Sequence, residues 1–245
     1  MQRSDLRTYE LMVRTGSSGK MSYVRRSDLC TRKGACMPSR NVVREFAENE
    51  YYHVYNRGVE KRVIFLDDQD YIVFLGLLKK YLIGIQTSKA DRHRVLRIDD
   101  KVQLVAYCLM PNHFHLLLHQ TDREGVSKLM RKLSTGYAMY FNNRYNRVGA
   151  LFQGKYKASR INADAYLQHI TRYIHLNPDN YSRWPYSSYG NYIGARNQEW
   201  VQQHQVMDIF ENQPSLYEEF VRDYVSTRDE LQMLKWQLAH DPDDA

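Results

Sequence analysis

The stretch VQLVAYCLMPNHFHLLLH, residues 102–119, decides the fold. Its two apolar runs are separated only by Met110-Pro111-Asn112, and this spacing predicts two antiparallel strands joined as a hairpin. Side chains alternate between the two faces of a strand, so His113 and His115 should point the same way. Phe114 should point into the opposite layer. The sequence therefore predicts a sheet with a pair of imidazoles on one face.

The segments on either side of this hairpin predict the order βαββαβα. A strand is expected at 51–56, and Asp67-Asp68 offers the N-cap of a helix that runs to about Ile83. The polar segment 87–100 is expected to be a loop. The remaining elements are a helix at about 125–145, a strand within 152–161 and a helix at 162–177. This order predicts an α+β fold, a ferredoxin-like antiparallel sheet with helices on one face.

The predicted catalytic domain spans residues 41–195. Residues 1–40 are expected to form a loose, flexible basic arm, and Met37 offers a second start of translation that would leave out residues 1–36. Residues 183–194 predict an ordered loop. Residues 196–245 predict an acidic helical C-terminal extension, with one or two helices in 206–238 that pack on the core as an accessory segment.

The composition and the charge indicate where the protein works and the state of its cysteines. The 245 residues include 35 Lys and Arg against 28 Asp and Glu, which gives a net charge of +7. No apolar run is long enough for a membrane span, so we expect a cytoplasmic, nucleoid-associated protein. Three cysteines, Cys30, Cys36 and Cys108, are an odd number without CxxC spacing and predict free thiols.

Two motifs could carry chemistry. The pair His113 and His115 could hold one divalent ion, although two histidines on an exposed strand face would show the same pattern. In the helix 162–177, Tyr166, Tyr173 and Asn177 share one face, where they could be site residues or simply bury their rings as the core of an amphipathic helix. His175 faces away from Tyr173 and is given no role.

Taken together, these motifs resemble those of the HUH single-tyrosine transposases, and especially of their REP-associated relatives. The resemblance rests on MPNHFHLLLH (110–119) and RYIHLNP (172–178), and on three further segments over residues 46–195. Those segments are YYHVYNRGVEKRVIFLDDQDY (51–71), YFNNRYNRVGALFQGKYKASRI (140–161) and WPYSSY (184–189).

The resemblance implies a metal-dependent nicking and joining enzyme. His113 and His115 would be metal ligands, Tyr173 the nucleophile and Asn177 the third ligand, for Mg²⁺ or Mn²⁺. Asn177 stands where related enzymes often have Gln, so a water could intervene between its side chain and the metal. Tyr166 is the second candidate nucleophile. The implied partner is single-stranded hairpin DNA cut through a 5′-phosphotyrosine intermediate, and a monomer is favoured over a dimer.

Basic residues interleaved with aromatics between 123 and 160 suit phosphates and stacked bases, or a solvated helix face with core aromatics. The best placed for DNA binding are Arg131, Lys132, Arg147, Lys155, Lys157 and Arg160. Two other functions stay open: a domesticated DNA-binding protein that does not cut, and a metal-dependent hydrolase in which water attacks. Plasmid relaxases and replication initiators share the histidine motif but usually have further domains.

Overall fold

The computed structural model describes residues 10–15, 20–25, 46–83, 101–161 and 164–225. Contacts divide the chain into two units, Met1–Ser39 and Arg40–Ala245. In the first unit, β1 (Glu10–Thr15) pairs antiparallel with β2 (Lys20–Arg25). This hairpin lies within the segment that the sequence analysis predicts as a loose basic arm. The two strands coincide with short apolar stretches, the run 11–13 in β1 and the alternating Met21 and Tyr23 in β2.

The second unit contains a four-stranded sheet. Its strands are β3 (Glu50–Arg57), β4 (Val102–Met110), β5 (His113–Gln120) and β6 (Lys157–Ile161). The order is β4-β5-β3-β6, with each neighbouring pair antiparallel. This confirms the predicted α+β, ferredoxin-like fold, including the hairpin between β4 and β5. The loop predicted at 87–100 lies outside the described residues.

Two long helices, α1 (Asp68–Ile83) and α2 (Gly125–Arg144), cover one face of the sheet. Asp67 accepts a hydrogen bond from the Asp70 backbone N–H at 3.2 Å, and Asp70 reaches back to the N–H of Leu66 at 2.8 Å. These bonds satisfy backbone donors that the first turn of a helix leaves unpaired, so the predicted helix start is correct. Arg144 at the end of α2 donates to both carboxylates and joins the two helices.

A second layer covers the opposite face. It consists of α3 (Asp164–His175), α4 (Tyr189–Tyr192), α5 (His204–Met207) and α6 (Pro214–Val225). Short 3₁₀ turns at Tyr181–Arg183 and Asp208–Phe210 connect them. The helices α1 and α2 thus lie on one face, whereas α3, which was predicted on that same face, builds a second core on the other face together with the C-terminal segment. Residues 226–238 of the predicted extension lie outside the described part.

Tyr217 and Val221 of α6 are fully buried in this second core. Cys108 is a buried free thiol in the same core, while Cys30 and Cys36 lie outside the described residues. Among the described helices, none is long and apolar enough to cross a membrane.

Candidate active site

The histidine pair lies at the start of β5. The ring centroids of His113 and His115 are 5.0 Å apart with an interplanar angle of 89°. Phe114 is fully buried in the core on the other face of the sheet, against Phe74 of α1. The alternation read from the sequence therefore holds, and both imidazoles lie on the face that α3 covers.

Asn112 orients His113, a role that its place in the sequence does not indicate. Its Oδ1 lies 2.6 Å from His113 Nδ1, while its Nδ2 donates to the Lys61 carbonyl at 3.2 Å. The Asn112 carbonyl accepts from the Gly58 N–H at 2.9 Å. A Cβ atom at Gly58 would lie 2.3 Å from the Arg62 carbonyl oxygen, so only glycine allows this approach. The segment after β3 thus holds the turn before the histidine pair.

The helix α3 brings Tyr173 to the histidines. The Tyr173 ring centroid lies 5.5 Å from that of His115, with the rings at 83°. Tyr173 is only 4% exposed. Tyr166 lies about two turns earlier and is partly buried at the edge of the second core. Of the two tyrosines considered from the sequence, Tyr173 is the one in described contact with the histidine strand.

Burial has an electrostatic consequence for Tyr173. It raises the pKa of the phenol well above its ordinary value, because the charged form loses its hydration. A hydrogen bond with the Asn177 side chain opposes this shift. Asn177 is buried, and its Nδ2 donates to the Tyr173 backbone carbonyl at 3.1 Å. The amide oxygen is therefore the atom that would bind a metal ion.

The residues present fit a metal ion of the kind that the resemblance implies. Two imidazoles that bind one ion at about 2.1 Å have ring centroids roughly 5 Å apart, which matches the spacing of His113 and His115. The Nδ1 atoms of both rings face protein partners, so each would bind the ion through Nε2. Within the described ranges, no three His, Cys, Asp or Glu side chains form a metal-binding group. A complete ligand set therefore needs Asn177 or water.

Among the predicted DNA-binding residues, Lys157 lies on the same face as the histidines. It pairs in β6 with Tyr55 of β3, which in turn pairs with His115 of β5. Residues in one row across a sheet share a face, so Lys157 is two strands from His115 on the catalytic side.

Arg131 and Arg160 line a separate groove on the opposite face, at the other end of β3 and β5. This open groove has a volume of about 800 Å³ and is also lined by Phe46, Arg123 and Lys128. Arg160 forms an ion pair with Glu50. The last three predicted residues lie elsewhere: Lys132 is 5.7 Å above the Tyr81 ring, Arg147 is 5.9 Å from the Phe141 ring, and Lys155 is exposed in the loop before β6. The six predicted residues therefore do not form one patch.

Two further buried histidines lie near the site, His175 at the end of α3 and His53 in β3. His175 bonds Tyr217 and Ser188 through its two nitrogens, at 2.6 and 2.8 Å, which is a structural role. His53 of β3, which the sequence reasoning passed over, bonds His115 at 2.9 Å. The alternation of residues 51–56 could have placed His53 on one face with Tyr55, but only the strand register puts it beside His115.

Comparison with known proteins gives a family match. Residues 86–177 match the family model described as "Transposase IS200 like". No curated protein matches the chain. Several solved structures are similar. One of them, a REP-associated tyrosine transposase bound to a REP hairpin, has 15% identity and a TM-score of 0.47, over 65% of this chain and 94% of that one. A transposase candidate from Deinococcus radiodurans has 16% identity and a TM-score of 0.34, over 55% and 93%.

Proposed function

We propose that this chain, in which residues 86–177 match the family model described as "Transposase IS200 like", cuts and rejoins single-stranded DNA through Tyr173. The observation that carries the proposal is the position of Tyr173, whose ring lies against His115 of the histidine pair within one chain. A buried tyrosine beside two imidazoles provides a nucleophile next to a metal site, which is what phosphoryl transfer to tyrosine requires.

The proposed reaction conserves the energy of the phosphodiester bond. The Tyr173 oxygen attacks phosphorus, the bond from phosphorus to the 3′ oxygen breaks, and the phenolic proton ends on that oxygen. The products are a 5′-phosphotyrosine and a 3′ hydroxyl. A second 3′ hydroxyl can reverse the step and join the strands, because the phosphotyrosine retains the energy of the original bond. No nucleotide cofactor is consumed.

The site residues have separate roles in the proposed reaction. His113, His115 and Asn177 would hold Mg²⁺ or Mn²⁺, which supplies charge withdrawal from the scissile phosphate. Tyr173 lies in contact with His115, so its position relative to the metal ligands is set by packing. Its burial excludes water from the phenol. That exclusion favours transfer to tyrosine over hydrolysis.

We propose hairpin DNA with single-stranded flanks as the substrate. The proposal is supported by the resemblance of the sequence to REP-associated transposases and by the family match of residues 86–177. Lys157 would neutralise backbone phosphates on the catalytic face, and Arg131 and Arg160 would contact phosphates in the groove on the other face. Since chromosomal hairpins are the substrate, the proposed location is the cytoplasm near the nucleoid.

We also propose that a monomer suffices. The nucleophile helix α3 packs on β4 and β5 of its own chain, and Arg172 of α3 stacks between Phe220 and Tyr224 of α6. Mixing the variants His115→Ala and Tyr173→Phe tests this arrangement. If each active site is built from one chain, the mixture stays inactive, and recovery of cleavage would show that subunits exchange helices.

The main experiment incubates the protein with Mn²⁺ and labelled single-stranded DNA that carries the hairpins flanking its gene. We expect a covalent protein–DNA band on a denaturing gel. The band should disappear in Tyr173→Phe and persist in Tyr166→Phe, a matched change on the same helix. Cleavage without an adduct would support the hydrolase instead, and tight hairpin binding without cleavage would support a domesticated DNA-binding protein.

A further inference from the structure

His53 lies directly behind the proposed metal ligand His115. It is fully buried on β3, and its Nε2 is 2.9 Å from His115 Nδ1. The two rings are nearly parallel, with centroids 5.1 Å apart and an interplanar angle of 12°. The Tyr173 ring meets both imidazoles edge-on, at 5.9 Å from His53 and 5.5 Å from His115. His53 therefore contacts both a proposed ligand and the proposed nucleophile.

Packing alone does not explain a histidine at this position. In the part of the chain that the structure describes, His53 Nδ1 is buried without a hydrogen-bond partner. Buried polar atoms are almost always paired, because an unpaired one loses its bond to water on folding and gains nothing in return. An apolar ring would fill the same space without that cost. The bond to His115 is thus the feature that distinguishes histidine from phenylalanine here.

The bond between the two histidines restricts where the protons lie. A neutral imidazole carries one N–H, and a hydrogen bond between two ring nitrogens needs a proton on one of them only. If His53 donates, His115 carries its own proton on Nε2, which then cannot bind a metal. If His115 donates from Nδ1, its Nε2 presents a lone pair to the site. Only the second arrangement supports metal binding.

We propose that His53 is a positioning residue for the metal site: its Nε2 accepts the His115 Nδ1–H and holds the ring with Nε2 towards the metal. This inference rests on the proposed function, because it takes His115 as a ligand. The partner of a ligating histidine fixes both its tautomer and its ring orientation. His53 does so from the neighbouring strand of the sheet, so the alignment is maintained by backbone pairing between β3 and β5.

The test measures Mn²⁺ affinity by calorimetry and by electron paramagnetic resonance, in the absence of DNA. His53→Phe should bind Mn²⁺ about 10–100-fold more weakly than the wild type. His53→Gln should recover most of the affinity, because its amide oxygen can accept the same proton. His119→Phe is the matched control, since His119 lies on the same face of β5 beyond the site, with its ring 4.6 Å from that of Tyr51. Its Mn²⁺ affinity should be unchanged.

A measurement on the unaltered protein covers the case in which His53→Phe does not fold. Long-range ¹H–¹⁵N correlation spectra of the wild type with Mg²⁺ report which nitrogen of each histidine carries the proton. We expect His115 with its proton on Nδ1. A His115 protonated on Nε2, or equal Mn²⁺ affinity in wild type and folded His53→Phe, overturns the role of His53 alone. A wild type that binds no Mn²⁺ overturns the proposed metal site together with it.

Discussion

The hydroxyl of Tyr217 is predicted to stabilise the layer that carries the proposed nucleophile. In the second core, Ser188 Oγ lies 3.2 Å from the Tyr107 carbonyl, to which its hydroxyl donates. Ser188 Oγ therefore accepts from His175 Nε2–H at 2.8 Å, which leaves His175 Nδ1 to accept the Tyr217 O–H at 2.6 Å. This chain of hydrogen bonds joins α6 to α3, and both Tyr217 and His175 are fully buried.

The change Tyr217→Phe removes one oxygen and keeps the ring. The Tyr217 ring packs on Tyr192 and Phe210, with centroids 4.7 and 5.2 Å away, and those contacts should survive. What is lost is the partner of a buried nitrogen. An unsatisfied buried acceptor costs about 1–3 kcal/mol, so we expect the free energy of unfolding to fall by roughly 2 kcal/mol.

Urea unfolding followed by circular dichroism measures this loss. Tyr181→Phe, at a partly exposed tyrosine of the same layer, is the control and should change the stability by no more than about 0.5 kcal/mol. If Tyr217→Phe is as stable as that control, the inferred chain of bonds is wrong. A second check combines Tyr217→Phe with His175→Leu, and the loss of stability in the double variant should be smaller than the sum of the two single losses, because both changes remove the same bond.

Three further predictions concern the first core, pH and DNA. Arg144→Met should lower the free energy of unfolding by about 2–3 kcal/mol in urea melts, because the buried Asp70 loses its cation. Lys128→Met removes the exposed ion pair with Glu124 and should cost at most about 0.5 kcal/mol. Burial lowers the pKa of His169 to about 4, so the unfolded chain takes up the proton first and the free energy of unfolding falls as the pH drops from about 6.5 to 4. His169→Gln should reduce that fall by roughly 1–2 kcal/mol in urea melts at a series of pH values. An unchanged pH dependence would contradict the burial argument. Lys157→Met should weaken hairpin binding and reduce the salt slope of the affinity by about one unit in fluorescence anisotropy titrations, and an unchanged slope would exclude a phosphate contact.

Much of the fold was accessible from local patterns. The alternation around His113 to His119 predicted a strand with both histidines on one face, and the acidic pair before α1 predicted the start of that helix. These features depend on residues within one turn or one strand, so neighbouring side chains and backbone suffice to define them. The hairpin β1–β2 is the exception. Its short apolar stretches were not recognised as strands among the polar residues that surround them.

The sequence by itself determined the element order, the shared face of His113 and His115, and the shared face of Tyr173 and Asn177. Only the tertiary structure decided that these two faces meet, that His53 supports His115, and that the basic residues divide between two sides of the sheet. The physical reason is the distance along the chain over which each effect acts. Periodicity describes which side of an element a residue occupies, whereas strand register and helix packing decide which distant sides come into contact.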